Sequence, residues 1–229
     1  GHIDFLVTLA RTLIKGKGKW CIPFIRNRDI TYISIKDMHH PAIISSTKNT
    51  IKLDKEHMLL TGANAYGKST MLKTTAICIF LAHRIGIAPA KQMETSYFKY
   101  IYSHLNIQDS TGNESLFQRE SNKIKQQIKD MEGKSGLHFS IIDELFHSTN
   151  PGEAIEGARW ILSKINRNPR VMCLVSTHFH DLTRESKEID NFIRYHIPFI
   201  RNKDDKIQYT YTLKKGISNQ KVALEILKN

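Results

Sequence analysis

The stretch TGANAYGKST, residues 61–70, decides the fold of this chain. From Gly62 to Ser69 it fits G-x-x-x-x-G-K-[ST], the pattern of a loop whose backbone N–H groups cradle phosphates. An apolar strand, HMLL at residues 57–60, precedes the loop, and the periodicity of residues 69–84 predicts an amphipathic helix after it. This strand–loop–helix context favours a phosphate-binding loop over a glycine-rich turn with an incidental lysine.

The loop supplies most of the predicted nucleotide contacts. Its backbone N–H groups and the N-terminus of the following helix point towards phosphates, and the helix dipole favours their negative charge. We expect Lys68 to bring a cation to the β- and γ-phosphates and Ser69 to offer a hydroxyl to Mg²⁺, whereas Thr70 is more typical of a helix turn. The predicted nucleotide-binding residues of this segment are Gly62, Ala63, Asn64, Ala65, Tyr66, Gly67, Lys68, Ser69 and Thr70.

A second motif is the pair of acids that ends the apolar stretch LHFSIIDE, residues 137–144. Two adjacent acids at the exit of a buried strand are costly unless they face a cation or water. Open α/β sheets bind their ligands at this end of the strands. We therefore expect Asp143 to hold Mg²⁺, directly or through water, and Glu144 to orient and deprotonate an attacking water. The alternative is that both acids cap the next helix.

A third motif ends the continuously apolar run VMCLVSTH, residues 171–178, which is typical of a buried parallel strand. His178 at its end is predicted to reach a γ-phosphate and to sense whether it is present. The alternative for a single histidine is a helix cap or a core residue. In this scheme Lys68 and Mg²⁺ neutralise the developing charge, Glu144 handles the water, and catalysis is positioning plus electrostatic stabilisation.

Strands that alternate with helices indicate an α/β fold. Apolar periodicity predicts helices at residues 3–14, 69–84 and 150–165, a further helix after the polar loop 108–115, and one from about residue 218. Hairpin-like strands are expected near residues 192–199 and 206–213. The helix at residues 69–84 is expected to bury a stripe formed by Leu72, Ala76, Ile79, Phe80 and His83.

The composition is that of a globular protein with an anionic partner. Of the 229 residues, 40% are apolar, and Lys plus Arg outnumber Asp plus Glu by 34 to 22, which gives a net charge of +12. Such a balance favours an anionic partner, which could be nucleic acid, nucleotide or an acidic membrane, or alternatively a basic surface that only promotes solubility. The three cysteines form no C-x-x-C pair, which suits an intracellular, reducing compartment. No apolar run approaches the ~18 residues of a membrane span.

Four stretches together resemble the ATPase domain of the MutS DNA mismatch-repair family. TGANAYGKSTMLKTTAICIFLA is similar to the family loop T-G-P-N-M-G-G-K-S-T, IIDELFHSTNPGEA to D-E-(I/L)-x-x-G-T-x-x-x-(D/E)-(G/A), VSTHFHDL to A-T-H-(Y/F)-x-E-L, and ISIKDMHHPAI to G-R-H-P-V. The resemblance covers most of residues 3–229. It implies a P-loop NTPase of the ABC type, with a mostly parallel central sheet flanked by helices and an antiparallel β portion. Residues 1–19 would end a lever or connector helix region, and residues 20–229 would form the ATPase domain, with ATP and Mg²⁺ as cofactors.

The resemblance also implies partners. In the family two ATPase domains pair, as a homodimer or with a second MutS-like domain, and DNA is bound through domains that lie outside this chain. STGNESLFQRES, residues 110–121, falls where the family has S-G-x-S-T-F-x-x-E, so Ser115 matches the serine that contacts the partner's γ-phosphate. Ser115 can also be a plain helix N-cap. By rough alignment Ile44 and Tyr211 occupy the places of the family's adenine pocket.

Departures from the family pattern predict a divergent branch. Ala63 replaces the loop proline, Ala65-Tyr66 replaces Met-Gly, and HSTNPGEA replaces the usual G-T-S-T-x-D-G. We expect the ring of Tyr66 to face the partner domain. The expected function is ATP hydrolysis that controls a DNA clamp in mismatch repair or recombination.

Two alternatives remain open. One is the nucleotide-binding ATPase of another ABC-type system, of the chromosome-structure or transporter kind. The lack of an L-S-G-G-Q stretch and the short segment between Lys68 and Asp143 argue against a transporter. The other is a non-hydrolysing module that dimerises on binding ATP, which the altered HSTNP stretch favours and the intact Lys68, Asp143, Glu144 and His178 oppose.

Overall fold

The computed structural model describes residues 7–8, 10–11, 14–15, 19–62, 67–105, 116–146, 150–183, 186–202 and 207–217. The described helices are α1 (Lys68–Ile85), α2 (Leu116–Gly133) and α3 (Pro151–Asn166), with a 3-10 helix at His180–Thr183. The described strands are β1 (Phe24–Arg26), β2 (Tyr32–Met38), β3 (Asn49–Asp54), β4 (His57–Thr61), β5 (Gln92–Ser96), β6 (Phe98–His104), β7 (Leu137–Asp143), β8 (Val171–Thr177), β9 (Phe192–His196), β10 (Phe199–Arg201), β11 (Ile207–Tyr209) and β12 (Lys214–Lys215).

A mostly parallel six-stranded sheet forms the centre of the fold. Its strand order is β12-β9-β4-β8-β7-β6, and all neighbours are parallel except the edge strand β12, which runs antiparallel to β9. The register pairs Thr61 at the end of β4 with Thr177 of β8, and Asp143 at the end of β7 with Ser176 of β8. The carboxyl ends of β4, β7 and β8 therefore lie side by side, and the glycine loop, the two acids and His178 follow these ends, as the α/β prediction requires.

A second sheet supplies the predicted antiparallel β portion. Its order is β1-β5-β2-β3, with antiparallel pairs except for the parallel β1–β5 contact. The prediction for the C-terminal strands is only partly right. β10 and β11 pair as an antiparallel hairpin, but β9 joins the central sheet as a parallel neighbour of β4. Local sequence patterns do not reveal the pairing of β9, because its partner β4 lies more than 130 residues earlier in the chain.

The central sheet is buried on both faces. Its strands alternate their side chains, so Met58, Leu60 and Leu174 pack on the side of α1, whereas Leu59, Cys173 and Val175 pack on the side of α2 and α3. This double burial explains why β4 and β8 are continuously apolar. Asn150 starts α3 by accepting a hydrogen bond from the Gly152 N–H at 3.0 Å.

The buried face of α1 differs from the predicted stripe. Leu72 and Ile79 are fully buried as expected, but the Phe80 side chain is 49% exposed. α1 contacts both β2 of the antiparallel sheet and β7 and β8 of the central sheet, so its buried surface is wider than one stripe and lies on another flank. That surface also contains Lys68, Met71, Thr74, Thr75, Cys78 and Ala82.

Two predicted elements lie wholly or partly outside the described residues. Of the predicted helix at residues 3–14, residues 7–8, 10–11 and 14 are described and are helical, as is residue 15. The helix expected from about residue 218 lies outside the described part of the chain. Within the described ranges, no helix combines the length and apolar character that crossing a membrane requires.

Candidate active site

The glycine loop ends in a left-handed glycine at the start of α1. Gly67 is the N-cap residue with φ of 88°, and Gly62 at the beginning of the loop has φ of 138°. Both angles lie in the region that a residue without Cβ adopts at little cost. No acidic residue lies in the first turn of α1, so the partial positive charge of this helix end is not neutralised from its own first turn.

Lys68 is the buried cation of the site. Its side chain is only 3% exposed, and its Nζ donates a hydrogen bond to the Gly62 carbonyl oxygen at 2.7 Å. The same Nζ lies 3.4 Å from Oε1 of Glu144. Burial lowers the pKa of Lys68, while the nearby charges of Glu144 and Asp143 act in the opposite direction. A buried ammonium is costly without acceptors, so this position favours anionic groups around it.

The two acids are held by a serine on the neighbouring strand. Ser176 Oγ donates a hydrogen bond to Oδ1 of Asp143 at 2.6 Å and accepts one from the Glu144 N–H at 3.1 Å. Glu144 itself has φ of 59°, which is uncommon for a residue with a side chain. Its carboxylate remains 23% exposed beside Lys68.

His178 completes a group of three charged or chargeable side chains. Its Nδ1 lies 3.9 Å from the same Oε1 of Glu144 that faces Lys68, and its side chain is 37% exposed. Its ring packs against Phe179 with centroids 4.2 Å apart. The structure thus brings Lys68, Glu144 and His178 together, with Asp143 one residue away on β7.

Ser69 and Asp143 are the predicted Mg²⁺ ligands. Ser69 is half-buried in the first turn of α1, and Thr70 uses its carbonyl oxygen as acceptor for the Thr74 hydroxyl at 2.7 Å. Among the described residues no group of three or more His, Cys, Asp or Glu side chains is arranged to hold a metal ion. The Ser69 hydroxyl and the Asp143 carboxylate fit Mg²⁺, because protein sites bind this ion through one or two carboxylates together with substrate phosphates and water.

A pocket of about 380 Å³ adjoins the loop and lies within the size range of small-molecule sites. Tyr211 forms one wall, and a Cβ added to Gly67 would lie only 2.9 Å from Cδ1 of its ring. Asn49 holds this wall in place, because its Nδ2 donates to the Tyr211 carbonyl oxygen at 2.9 Å and its Oδ1 accepts from the Leu213 N–H at 2.7 Å. The pocket is lined by Met38, Ile43, Ser45, Ser46, Thr47, Asn49, Gly67, Thr70, Met71, Thr74 and Tyr211.

Ile44 does not line this pocket. Its side chain is fully exposed, whereas the preceding residue Ile43 is among the lining residues. The chain turns here, with hydrogen bonds from the Ile43 N–H to the His40 carbonyl oxygen and from the Ser46 N–H to the Ile43 carbonyl oxygen, so adjacent side chains diverge. The adenine contact of Ile44 stays a prediction. The predicted site residues Ala63, Asn64, Ala65, Tyr66 and Ser115, and residues 147–149 of the altered HSTNP stretch, lie outside the described residues.

Ser176 and Asn49, which hold other site residues in place, were not predicted from the sequence, and neither were most of the residues that line the pocket. Ser176 could have been noticed, because the resembling family motif A-T-H has an alanine at its position. Asn49 gives no such signal, since its partners lie more than 160 residues away along the chain.

Comparison with known sequences links the chain to one domain family. Residues 58–229 match MutS domain V. The DNA mismatch repair protein MutS of Persephonella marina is 27% identical over an alignment of 236 positions, which covers 100% of this chain and 26% of that protein. The proteins of the same name from Fusobacterium nucleatum and Chloroflexus aurantiacus are 27% and 25% identical, over 99% and 98% of this chain and 27% and 24% of their own length. The chain therefore spans about a quarter of the length of these relatives.

Proposed function

The chain belongs to the MutS family, and from this premise we propose that it is the C-terminal ABC-type ATPase domain of a MutS-like mismatch-repair or recombination protein. ATP binding and hydrolysis would drive an ATP-dependent dimer that controls a DNA clamp. The observation that carries the proposal is the meeting of Lys68 and His178 at one carboxylate oxygen of Glu144, at 3.4 and 3.9 Å. A buried cation, a carboxylate and an imidazole at the end of parallel strands suit phosphoryl transfer to water.

Each side chain has a definable task in this reaction. Lys68 and the N-terminus of α1 would bind the phosphates, and the purine would enter the pocket beside Tyr211. Glu144 would orient the attacking water and accept its proton, and His178 would contact the γ-phosphate. Ser69 and Asp143 would hold Mg²⁺, which when bound supplies positive charge to the phosphate oxygens.

The neighbourhood of Glu144 supports its role as a base. Its carboxylate is partly exposed and can reach a water, and its position next to the Lys68 ammonium keeps it close to the bound phosphates. Proton acceptance requires such reach before any adjustment of pKa matters.

The test of hydrolysis is phosphate release by the purified chain with Mg-ATP. We expect Glu144→Gln to abolish release, because the amide cannot accept the proton. Glu156→Gln is the matched control, since Glu156 is an exposed carboxylate on α3 and should behave as the wild type. Release that is equal in wild type and Glu144→Gln would overturn the hydrolase proposal. ATP binding without any release would favour the non-hydrolysing dimerisation module instead.

Partners form the second part of the proposal. We propose that the domain pairs with a second copy or with another MutS-like ATPase domain when ATP is bound, and that DNA is contacted through domains outside this chain. Light scattering of the Glu144→Gln variant should show a mass increase with ATP, and a strictly monomeric protein at high concentration would count against pairing. Residues 1–19 are proposed as the end of the lever region.

The compartment and lineage complete the proposal. The free cysteines Cys21, Cys78 and Cys173 support a reducing intracellular compartment. Identities of 25–27% to the relatives named above support a divergent branch.

A further inference from the structure

The hydroxyl of Ser176 joins two functional residues at once. It donates a hydrogen bond to Oδ1 of Asp143 at 2.6 Å and accepts one from the Glu144 N–H at 3.1 Å. Ser176 and Asp143 are direct register partners on β8 and β7, and Ser176 is fully buried. An alanine here would remove one donor and one acceptor at a fully buried position.

The geometry around Glu144 makes this contact more than a strand-to-strand link. Glu144 has φ of 59°, a conformation that costs energy for a residue with a side chain and persists where surrounding contacts fix it. The Ser176 hydroxyl is one such contact, because it holds the backbone N–H of Glu144. The same hydroxyl fixes one oxygen of the Asp143 carboxylate and so restricts its rotation.

Ser176 also connects these acids to His178. It lies two residues before His178, so β8 carries both the hydroxyl that orients the acids and the histidine that approaches Glu144. A displacement at the end of β8 would therefore shift Asp143 and Glu144 as well, because the Ser176 hydroxyl is hydrogen-bonded to both.

We propose that Ser176 is a positioning residue that sets the orientation of the Asp143 carboxylate and of the Glu144 backbone for the hydrolysis of ATP. The inference rests on the proposed function. Ser176 acts through Asp143 on the divalent metal ion and through Glu144 on the attacking water. Partners that orient metal ligands in this way typically change metal affinity or activity by 10–100-fold when they are removed.

Ser140 provides a control for a merely structural effect. It is a fully buried serine on β7, three residues before Asp143, and its Oγ accepts a hydrogen bond from Gln127 Nε2 at 2.5 Å. Ser140→Ala therefore also removes a buried hydroxyl and its hydrogen bond, but it leaves the contacts of Asp143 and Glu144 intact. Thermal unfolding of both alanine variants shows how much each loses in stability.

The experiment compares wild type, Ser176→Ala, Ser176→Thr and Ser140→Ala. Binding of Mn²⁺ in the presence of a non-hydrolysable ATP analogue is measured by the EPR signal of the free ion, and turnover is measured with Mg-ATP. We expect Ser176→Ala to weaken Mn²⁺ binding about tenfold and to lower kcat about tenfold, with the KM for ATP within about twofold. Ser176→Thr, which keeps the hydroxyl, should recover part of both losses, and Ser140→Ala should match the wild type.

The outcomes separate this inference from the proposed function. Equal Mn²⁺ affinity in Ser176→Ala and Ser140→Ala would overturn the positioning role, even if the wild type hydrolyses ATP. Weaker Mn²⁺ binding in Ser176→Ala alone, with no turnover by any variant, would support the positioning of Asp143 and reject the hydrolase. If Ser176→Ala does not fold, the same comparison is made with Ser176→Cys, which lacks the hydroxyl, and an unchanged Mn²⁺ affinity in Ser176→Cys overturns the inference.

Discussion

Removal of the Glu144 charge should tighten the binding of ATP. The Glu144 carboxylate lies 3.4 Å from Lys68 Nζ, so it competes with a phosphate for the same buried ammonium and also repels that phosphate. The Glu144→Gln variant keeps the shape of the side chain and removes both effects. This prediction concerns affinity and is separate from the loss of hydrolysis in the same variant.

The magnitude follows from the separation of the charges. Two unit charges at this distance attract by about 5 kcal/mol at an effective dielectric constant of about 20, and by about 1 kcal/mol in bulk water. Glu144 is 23% exposed and Lys68 only 3%, so the pair lies between these limits and part of the attraction is offset by the solvation that both groups lose. A net change of about 1.4 kcal/mol corresponds to about tenfold tighter binding.

The assay is isothermal titration calorimetry with a non-hydrolysable ATP analogue, so that turnover does not distort the comparison. Glu156→Gln serves as the control because it removes one negative charge from the exposed face of α3, which packs on the face of the central sheet opposite to α1. An analogue affinity that is unchanged or weaker in Glu144→Gln would refute the reasoning. An equal gain in Glu156→Gln would show that only the net charge matters.

Two further predictions concern stability. Gly67→Ala and Gly86→Ala should both destabilise the chain by about 1–2 kcal/mol, since both glycines have positive φ. Only Gly67→Ala should also weaken nucleotide binding, because its Cβ would lie 2.9 Å from the Tyr211 ring, whereas nothing lies within 4 Å of a Cβ at Gly86. Thermal unfolding and calorimetry check this pair, and equal nucleotide affinity in both variants would contradict it. Burial lowers the pKa of His57 to about 4, whereas the ordinary pKa is 6.5. Between pH 6.5 and pH 4 the unfolded chain therefore binds a proton at His57 that the folded chain does not, so the free energy of unfolding falls as the pH is lowered through this range. Urea unfolding should show a loss of about 2 kcal/mol from pH 7 to pH 5 that is absent in His57→Gln, and an equal slope in both proteins would argue against it.

The fold was predictable where burial imposes the same apolar pattern on many consecutive residues. β4, β7 and β8 are buried on both faces and so read as apolar runs, and α3 combines Asn150, Pro151 and a periodic apolar face. These elements also bring the site residues together, because neighbouring parallel strands have their carboxyl ends on the same side of the sheet. The residues that follow these ends are Lys68, Asp143, Glu144 and His178.

The rest depends on contacts that apolar periodicity does not reveal, most of them between distant parts of the chain. Phe80 lies on the exposed flank of α1 because that helix packs against two sheets, which a single apolar stripe does not indicate. β9 pairs with β4 across more than 130 residues, and Ile43 rather than Ile44 faces the pocket because of a local turn. For Phe80 and β9 the deciding contacts come from distant parts of the chain, whereas at Ile43 a short hydrogen-bonded turn decides which side chain faces the pocket.

The architecture divides the proposed site into two parts with separate supports. The pocket beside Tyr211 draws its walls from β2, β3, α1 and the C-terminal segment, and Asn49 at the start of β3 fixes the position of that segment. The acids and His178 depend instead on β7 and β8, where Ser176 links them. Among the described residues the two parts meet at the start of α1, so changes in the Asn49 contacts should act on nucleotide affinity, whereas changes around Ser176 should act on the chemical step. In the proposed function the first residues of α1 would couple the nucleotide to the hydrolytic residues, because Lys68 contacts both the Gly62 carbonyl oxygen and the Glu144 carboxylate.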